Sequence, residues 1–323
     1  WPGQGNGRSA GRIQTDPVLV TNNRFDSNNQ GMNIYDNVPV YLTQCSFRDN
    51  QLGLGSSYSR QATVDGCSFL RNKLGIRAYG EKLGISNCTF QENNDAIDAY
   101  YIELNVYTCT FERSSNDGLK LNARYGYPCT VSNCSFRDNA RVGLYISGMV
   151  DVFDCSFSGN EFGIYSYMYR NYGQGEGRDS GEGGHPQVYP QTHITRAKLL
   201  NNTRGLFSEG TTELTHSVIA GNRYGVEISS FVHARDSYYD DWYFISTVRD
   251  VAISNNTFES NMEGVLILET DPYDYYTTNP TVIVDNTFLN NTIGVDCAES
   301  ELFCANNAFR GNDTFAGVRM VGK

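Results

Sequence analysis

The feature that most constrains this chain is a spacing. Phenylalanine, asparagine and glycine recur in the frame Phe-x-x-Asn-x-x-Gly: Phe25/Asn28/Gly31, Phe47/Asn50/Gly53, Phe69/Asn72/Gly75, Phe157/Asn160/Gly163, Phe258/Asn261/Gly264 and Phe288/Asn291/Gly294. Leu199/Asn202/Gly205 and Ile219/Asn222/Gly225 keep the frame with an aliphatic in place of Phe. Phe90/Asn93, Phe111, Phe136/Asn139 and Phe309/Asn312 are looser copies, and the hexapeptide CSFRDN occurs verbatim at Cys45–Asn50 and Cys134–Asn139. From Phe25 to Phe111 the aromatic residues step by 22, 22, 21 and 21. A fixed period of about 20–30 residues is the mark of a solenoid. Leucine-rich repeats share that length but need a leucine ladder that is missing here. Around each Phe the apolar residues alternate, as strands require.

Each period therefore predicts one coil, read as strand, Asn-bearing turn, strand and looser turn. Stacked coils form parallel sheets about 4.8 Å apart, with like residues in ladders. Asn is expected in the turn because its amide can bond the turns above and below and tolerates left-handed backbone. Gly is expected where φ is positive. From Val18 to about Met320 the pattern resembles the right-handed parallel β-helix repeat family. The resemblance implies an all-β solenoid of about twelve coils. It specifies function poorly, because the fold carries pectin and alginate lyases, epimerases, phage tailspikes and adhesive ectodomains. The chain is also similar to the extracellular β-helix repeats of bark beetle/anakonda-type tricellular junction proteins.

Trp1–Asp16 lies outside the repeat and reads as a Gly-rich leader or linker; residues 17–323 read as a single β-helix domain. The repeat runs to within a few residues of Lys323 without a polar cap, so a fragment of a longer ectodomain is expected. No long apolar run suggests membrane insertion by this segment. A formal net charge of −11 argues against nucleic acid and leaves an anionic polysaccharide only a local basic groove.

Cys45, Cys67, Cys88, Cys109, Cys134 and Cys155 each sit two residues before the repeat aromatic. They form one inward ladder, either of reduced thiols acting as small hydrophobes or of neighbours paired as disulfides. Cys297 and Cys304 lie outside it, close enough in sequence for a separate disulfide, and Cys129 leaves the count odd. No CxxC is present and the chain has 4 His, so no metal site is expected. Sequons at Asn87, Asn133, Asn201, Asn255 and Asn290 point to a glycosylated, secreted or cell-surface protein. A further sequon at Asn312 falls on a ladder position.

The period breaks in four places, and the extra residues always enter after the strand that follows Gly. The inserts are approximately Asn122–Pro128, Tyr167–Gln191, Ser230–Thr247 and Glu269–Pro280. Stacking puts all four on one edge of the rod, where solenoids commonly bind. Tyr238, Tyr239, Trp242, Tyr273, Tyr275 and Tyr276 make that edge a candidate partner-binding surface, for protein or glycan. Asp236, Asp240, Asp241, Asp271 and Asp274 offer oxygen to Ca²⁺ but lack the spacing of any calcium loop; otherwise no cofactor is expected. A second candidate is the outward row two residues after each Gly, which reads Arg77, Asp98, Lys120, Tyr145, Tyr165, Phe207 and Glu227. Arg77, Asp98 and Lys120 could serve a lyase, the cations neutralising a uronate and the carboxylate removing its C5 proton, or could be an exposed ion ladder. The NTD, DD and RIK motifs of polygalacturonases and the DPH motif of alginate epimerases are absent. The leading expectation is thus a non-catalytic adhesive segment of a cell–cell junction. The alternatives are a polysaccharide lyase or epimerase, or a glycan-binding rod.

Overall fold

The computed structural model describes residues 16–35, 39–57, 61–80, 82–123, 129–167, 191–229, 231–235, 242–246, 251–268, 281–298, 302–313 and 317–321; the side chains of 231–235, 242–246 and 321 are outside this description. Each coil holds three strands rather than the expected two. In one coil these are Val40–Thr43, Ser46–Arg48 and Leu52–Ser57, here assigned to sheets A, B and C. The extra bend precedes Cys45, where Gln44 has φ 55°, just as Asp49 with φ 55° precedes Asn50. One left-handed residue inside an extended run turns the chain sharply, and the alternation of Cys and Phe across the bend hid it.

Among the described residues sheet B has 12 strands, all parallel, and sheets A and C are joined through the strand Asp95–Tyr107. In sheet B the register aligns Phe25, Phe47, Phe69, Phe90, Phe111, Phe136 and Phe157, then Leu199 and Ile219, then Phe258, Phe288 and Phe309. The rings stack face to face at 4.5–4.9 Å. Those from Phe47 to Phe288 are fully buried. Leu42, Val64, Ile76 and Leu83 close the same core from sheets A and C. The architecture is a right-handed parallel β-helix, as the resemblance of the repeat implies.

The frame glycines and asparagines act differently from expectation. Gly53 and Gly75 do not have positive φ. A Cβ on Gly53 would lie 2.6 Å from the Gly75 carbonyl oxygen and 3.2 Å from the Phe69 ring. Glycine is therefore required by close approach of coils. The left-handed residue is the one before each ladder residue, such as Asp49, Arg71 and Glu92. The ladder Asn supplies the bonds: the Asn50 amide N–H donates to Asn72 Oδ1 at 3.0 Å, and Asn72 Nδ2 donates to the Phe47 carbonyl at 3.0 Å. Asn312 is part of this ladder, donating to the Phe288 carbonyl at 3.2 Å. Ser114 interrupts it, leaving its buried hydroxyl without a partner.

The six-Cys ladder is a second set of such bonds. The Cys67 N–H donates to Cys88 Sγ at 3.4 Å, and Cys88 Sγ lies 3.0 Å from the Ser86 carbonyl. No disulfide joins cysteines among the described residues. The expected Cys297–Cys304 bridge is absent because Cys297 is buried on Ile293–Ala298 of sheet C while Cys304 is exposed on Leu302–Ala305 of sheet A. Each stacks on its own sheet, Cys297 between Ile267 and Met320 and Cys304 beside Ile283.

Candidate functional site

The strand after each Gly packs one row inward and turns the next outward. Ile76, Ile97, Leu119, Leu144 and Ile164 are buried, and Arg77, Asp98, Lys120, Tyr145 and Tyr165 alternate with them. The parallel register sets Arg77 beside Asp98, then Lys120, Tyr145, Tyr165, Phe207 and Glu227, one residue per coil. The expected outward row of sheet C is thus a contiguous strip. A second outward row, two residues further on, adds Tyr79, Tyr100 and Tyr167.

The strip is not a bare ion ladder. Lys120 Nζ lies 5.4 Å from the Tyr100 ring centroid and 5.9 Å from that of Tyr145. A cation at that range is held by the ring quadrupoles. Burial works to lower the Lys120 pKa, but the Tyr100 hydroxyl and the Asp98 and Asp117 carboxylates outweigh it and hold the ammonium above its ordinary value. Asp98 is half-buried, and its Oδ1 is shielded from solvent without a hydrogen-bond partner. Burial raises the Asp98 pKa, against hydrogen bonding by Tyr100 and the charges of Lys120 and Arg77. Arg77 itself is exposed.

Beyond Lys120 the strip becomes aromatic. Tyr145 stacks on Tyr165 at 5.2 Å, Tyr165 meets Phe207 at 4.9 Å, and Phe162 meets Tyr165 edge-on at 5.4 Å. The Arg204 guanidinium sits 4.9 Å from the Phe162 ring centroid and pairs with Glu227. The Tyr165 hydroxyl donates to Glu209 Oε2 at 3.1 Å. Burial pushes the Glu209 carboxyl up to about 7, the Tyr165 bond opposing it, and burial likewise raises the Tyr145 and Tyr165 phenols. At the far end Glu263 and Asp296 are buried, Asp296 paired with Arg319. Among the described residues no three ligating side chains are placed to hold a metal.

Tyr100, Phe162, Tyr167, Arg204 and Glu209 are site residues that the frame did not single out. Stepping two residues along each strand from the row would have found Tyr100 and Tyr167; Glu209 lies just past its strand and carried no signal. The loop-edge candidates Tyr238, Tyr239, Tyr273, Tyr275 and Tyr276 lie outside the described residues. So do the five aspartates proposed for Ca²⁺. Trp242 opens the second strand of an antiparallel pair, Phe231–Arg235 with Trp242–Ser246, in register with Arg235, and its side chain is not described. The described flanks agree on the edge: each insert leaves a strand of sheet C, ending at Ala123, Tyr167, Ile228 or Ile267, and returns to sheet A. The sequon residues Asn87, Asn133, Asn201, Asn255 and Asn290 are all exposed and all left-handed.

No curated protein matches this sequence. Among solved structures, the A-module of the Azotobacter vinelandii mannuronan C-5 epimerase AlgE4 superposes with a TM-score of 0.52 at 14% identity, covering 89% of each chain. The A-module of AlgE6 from the same organism gives 0.52 at 15% identity, over 89% of this chain and 91% of its own. At such identities the likeness is one of fold. A model of the right handed beta helix region matches residues 4–124 and 71–174, together more than half of the sequence. With the coils, ladders and parallel sheets described above, that match places the chain in the right-handed β-helix family.

Proposed function

We propose that sheet C of this protein binds an acidic polysaccharide and acts on its uronate units by removing the C5 proton, as an epimerase or a lyase does. The observation that carries this reading is Lys120, an ammonium held over Tyr100 and Tyr145 beside the unpartnered oxygen of Asp98. Removing a proton next to a carboxylate needs a base and a cation to take up the charge that develops. Asp98, whose pKa burial raises, is the base. Lys120, which stays charged, and Arg77 hold the substrate carboxylate. The C5–H bond breaks, its proton passes to Asp98, and its electron pair enters the carboxylate as an enediolate. That intermediate collapses in one of two ways. The Tyr145 hydroxyl, kept protonated by burial, delivers a proton to the opposite face and inverts C5; or the enediolate pair forms the C4–C5 double bond as the C4–oxygen bond breaks, the departing oxygen takes the Tyr145 proton, and an unsaturated sugar remains. The aromatic run from Tyr145 to Phe207 gives neighbouring sugar rings apolar faces to stack on. The chain's fold neighbours are named as mannuronan C-5 epimerases, which supports the reaction class.

The test is incubation with polymannuronate and with polygalacturonate in deuterated water. Proton NMR reads C5 exchange or inversion, and absorbance reads the unsaturated product. Activity is expected with one polymer, lost in Lys120→Ala and Asp98→Asn. Its acid limb should lie above the usual carboxylate range, because Asp98 must be ionised to act. Binding without exchange or cleavage would reduce the protein to a glycan-binding rod; no binding to either polymer would return the question to adhesion through the loop edge. A secreted, glycosylated protein fits this reading, and peptide mapping at the exposed sequon Asn133 tests that part.

A further inference from the structure

Of the 21 non-glycine residues with positive φ among those described, 20 directly precede a turn residue of the two ladders; Tyr101 does not. It lies inside the strand Asp95–Tyr107, at the corner where sheet C runs into sheet A, and its φ is 51°. The pairing with the next coil slips there, Tyr100 facing Asn122 and Ile102 facing Ala123, so Tyr101 is the extra residue of a bulge. At the same corner, the coils carrying Tyr79 and Ser147 place Gly80 and Gly148, both at φ 116°. Glycine meets that bend without a Cβ penalty, whereas a bulky residue in the left-handed region is strained. Strain that is retained where a smaller residue would relieve it tends to mark a binding or catalytic position.

The strain has a product. Tyr101 is 44% exposed, Tyr79 of the preceding coil is 39% exposed, and their rings meet edge to face at 5.9 Å. Tyr79 is the register partner of Tyr100, whose ring lies under Lys120. The pair thus continues the site toward the edge from which the inserts leave.

We infer that Tyr101 and Tyr79 form an aromatic platform for one pyranose ring of the bound polysaccharide, next to the unit that lies over Lys120. This rests on the reading of sheet C as a polysaccharide site and adds a subsite to it. The ring is recognised through its apolar C–H face, so the platform contributes to holding the polymer and not to proton transfer. Tyr101 and Tyr79 are binding residues in this scheme.

Tyr101→Gly separates the two roles of the side chain, since it removes the ring and relieves the backbone together. Calorimetry with a hexamer of mannuronate or of galacturonate reads Kd, melting reads Tm, and turnover reads KM and kcat. The expected result is a Tm equal to or above that of the native protein, a Kd raised about tenfold, as the loss of one ring contact implies, and a KM raised with kcat unchanged. Tyr101→Phe, which keeps the ring, should bind as the native protein does. Native binding of a hexamer with Kd unchanged in Tyr101→Gly overturns the platform and leaves the polysaccharide reading standing. A lower Tm in Tyr101→Gly overturns the claim of strain. Native protein that binds neither hexamer overturns the polysaccharide reading and the platform with it.

Discussion

The two halves of the rod solve one problem with different atoms. Where sheet A bends into sheet B, the N-terminal half places Cys45, Cys67, Cys88, Cys109, Cys134 and Cys155; the C-terminal half places Ser217, Asn256, Asn286 and Asn307 at the equivalent position. Both groups accept the N–H of the coil before and donate to a carbonyl. The Ser217 N–H reaches Asn256 Oδ1 at 2.8 Å, and Asn256 Nδ2 reaches the Leu214 carbonyl at 2.9 Å. The corresponding thiol contacts are longer, 3.4 Å from the Cys67 N–H to Cys88 Sγ and 3.5 Å from Cys88 Sγ to the Val64 carbonyl. Thiols are weak donors and acceptors, but they are also apolar and bury at little cost. The amide half therefore depends on directed bonds, and the thiol half on packing with weak bonds added. What looks from composition like a disulfide framework behaves as a hydrogen-bonding ladder made from sulfur.

The largest effect should be shared by both halves. Phe69→Ala and Phe288→Ala each remove a fully buried ring from the stack, at a cost of about 3–5 kcal/mol, read as loss of hydrogen-exchange protection in the affected coils. Equal loss at both sites is expected; a much smaller loss at either would show that the stack is not one continuous element.

The ladders should then separate the halves. Asn256→Ala strands a buried N–H and a buried carbonyl and should cost about 3 kcal/mol. Cys88→Ala should cost about 1 kcal/mol, and Cys88→Ser close to nothing, since Ser217 already bonds the Ala197 N–H at 3.0 Å from that position. Equal losses for Asn256→Ala and Cys88→Ala would erase the distinction.

A third test falls on the coil where the ladder changes over. Glu209 has a folded pKa of about 7 against an ordinary value of 4.5, so its neutral form stabilises the fold below pH 4.5 and that contribution is lost as pH rises through 7. Glu209→Gln should flatten the melting profile across this range and raise Tm at pH 8. A profile that keeps its slope in the variant assigns the effect elsewhere.

The smallest effect is chemical. Burial pushes the Cys129 thiol up to about 11, and the six ladder thiols are closed off from solvent. In the native protein a thiol reagent should modify exposed Cys304 rapidly and spare the ladder, with little change in Tm. Rapid modification of Cys88 would mean that the thiol half opens more readily than the amide half.

Much of this was legible in the sequence, for a definite reason. A residue that stacks on its own copy every coil, such as Phe69 or Asn72, is forced to recur, so its period can be counted. What does not recur cannot be counted. Tyr101 bends one coil only, Phe162 and Arg204 meet across coils, and Glu209 gains its partner Tyr165 from the adjacent strand of sheet C, 44 residues away in sequence. The second bend in each coil was hidden because the position before Cys45, Cys67 and Cys88 varies as Gln, Gly and Asn. The frame glycine was assigned to the right place for the wrong reason, since close packing and left-handed backbone select the same residue.

The ladders have a mechanical consequence. Each ladder Asn bonds the coil before and the coil after it, as Asn72 does with Phe47 and Asn93. Apart from the interruption at Ser114, these bonds repeat from one interior coil to the next, so a pull on one terminus loads a single coil's bonds at a time. The rod should come apart as a zipper does, in steps of one coil. Each step through a coil without an insert would release on the order of 70 Å of extended chain. An optical-tweezers trace of this protein would then carry the same count of about 21 residues that runs through its sequence.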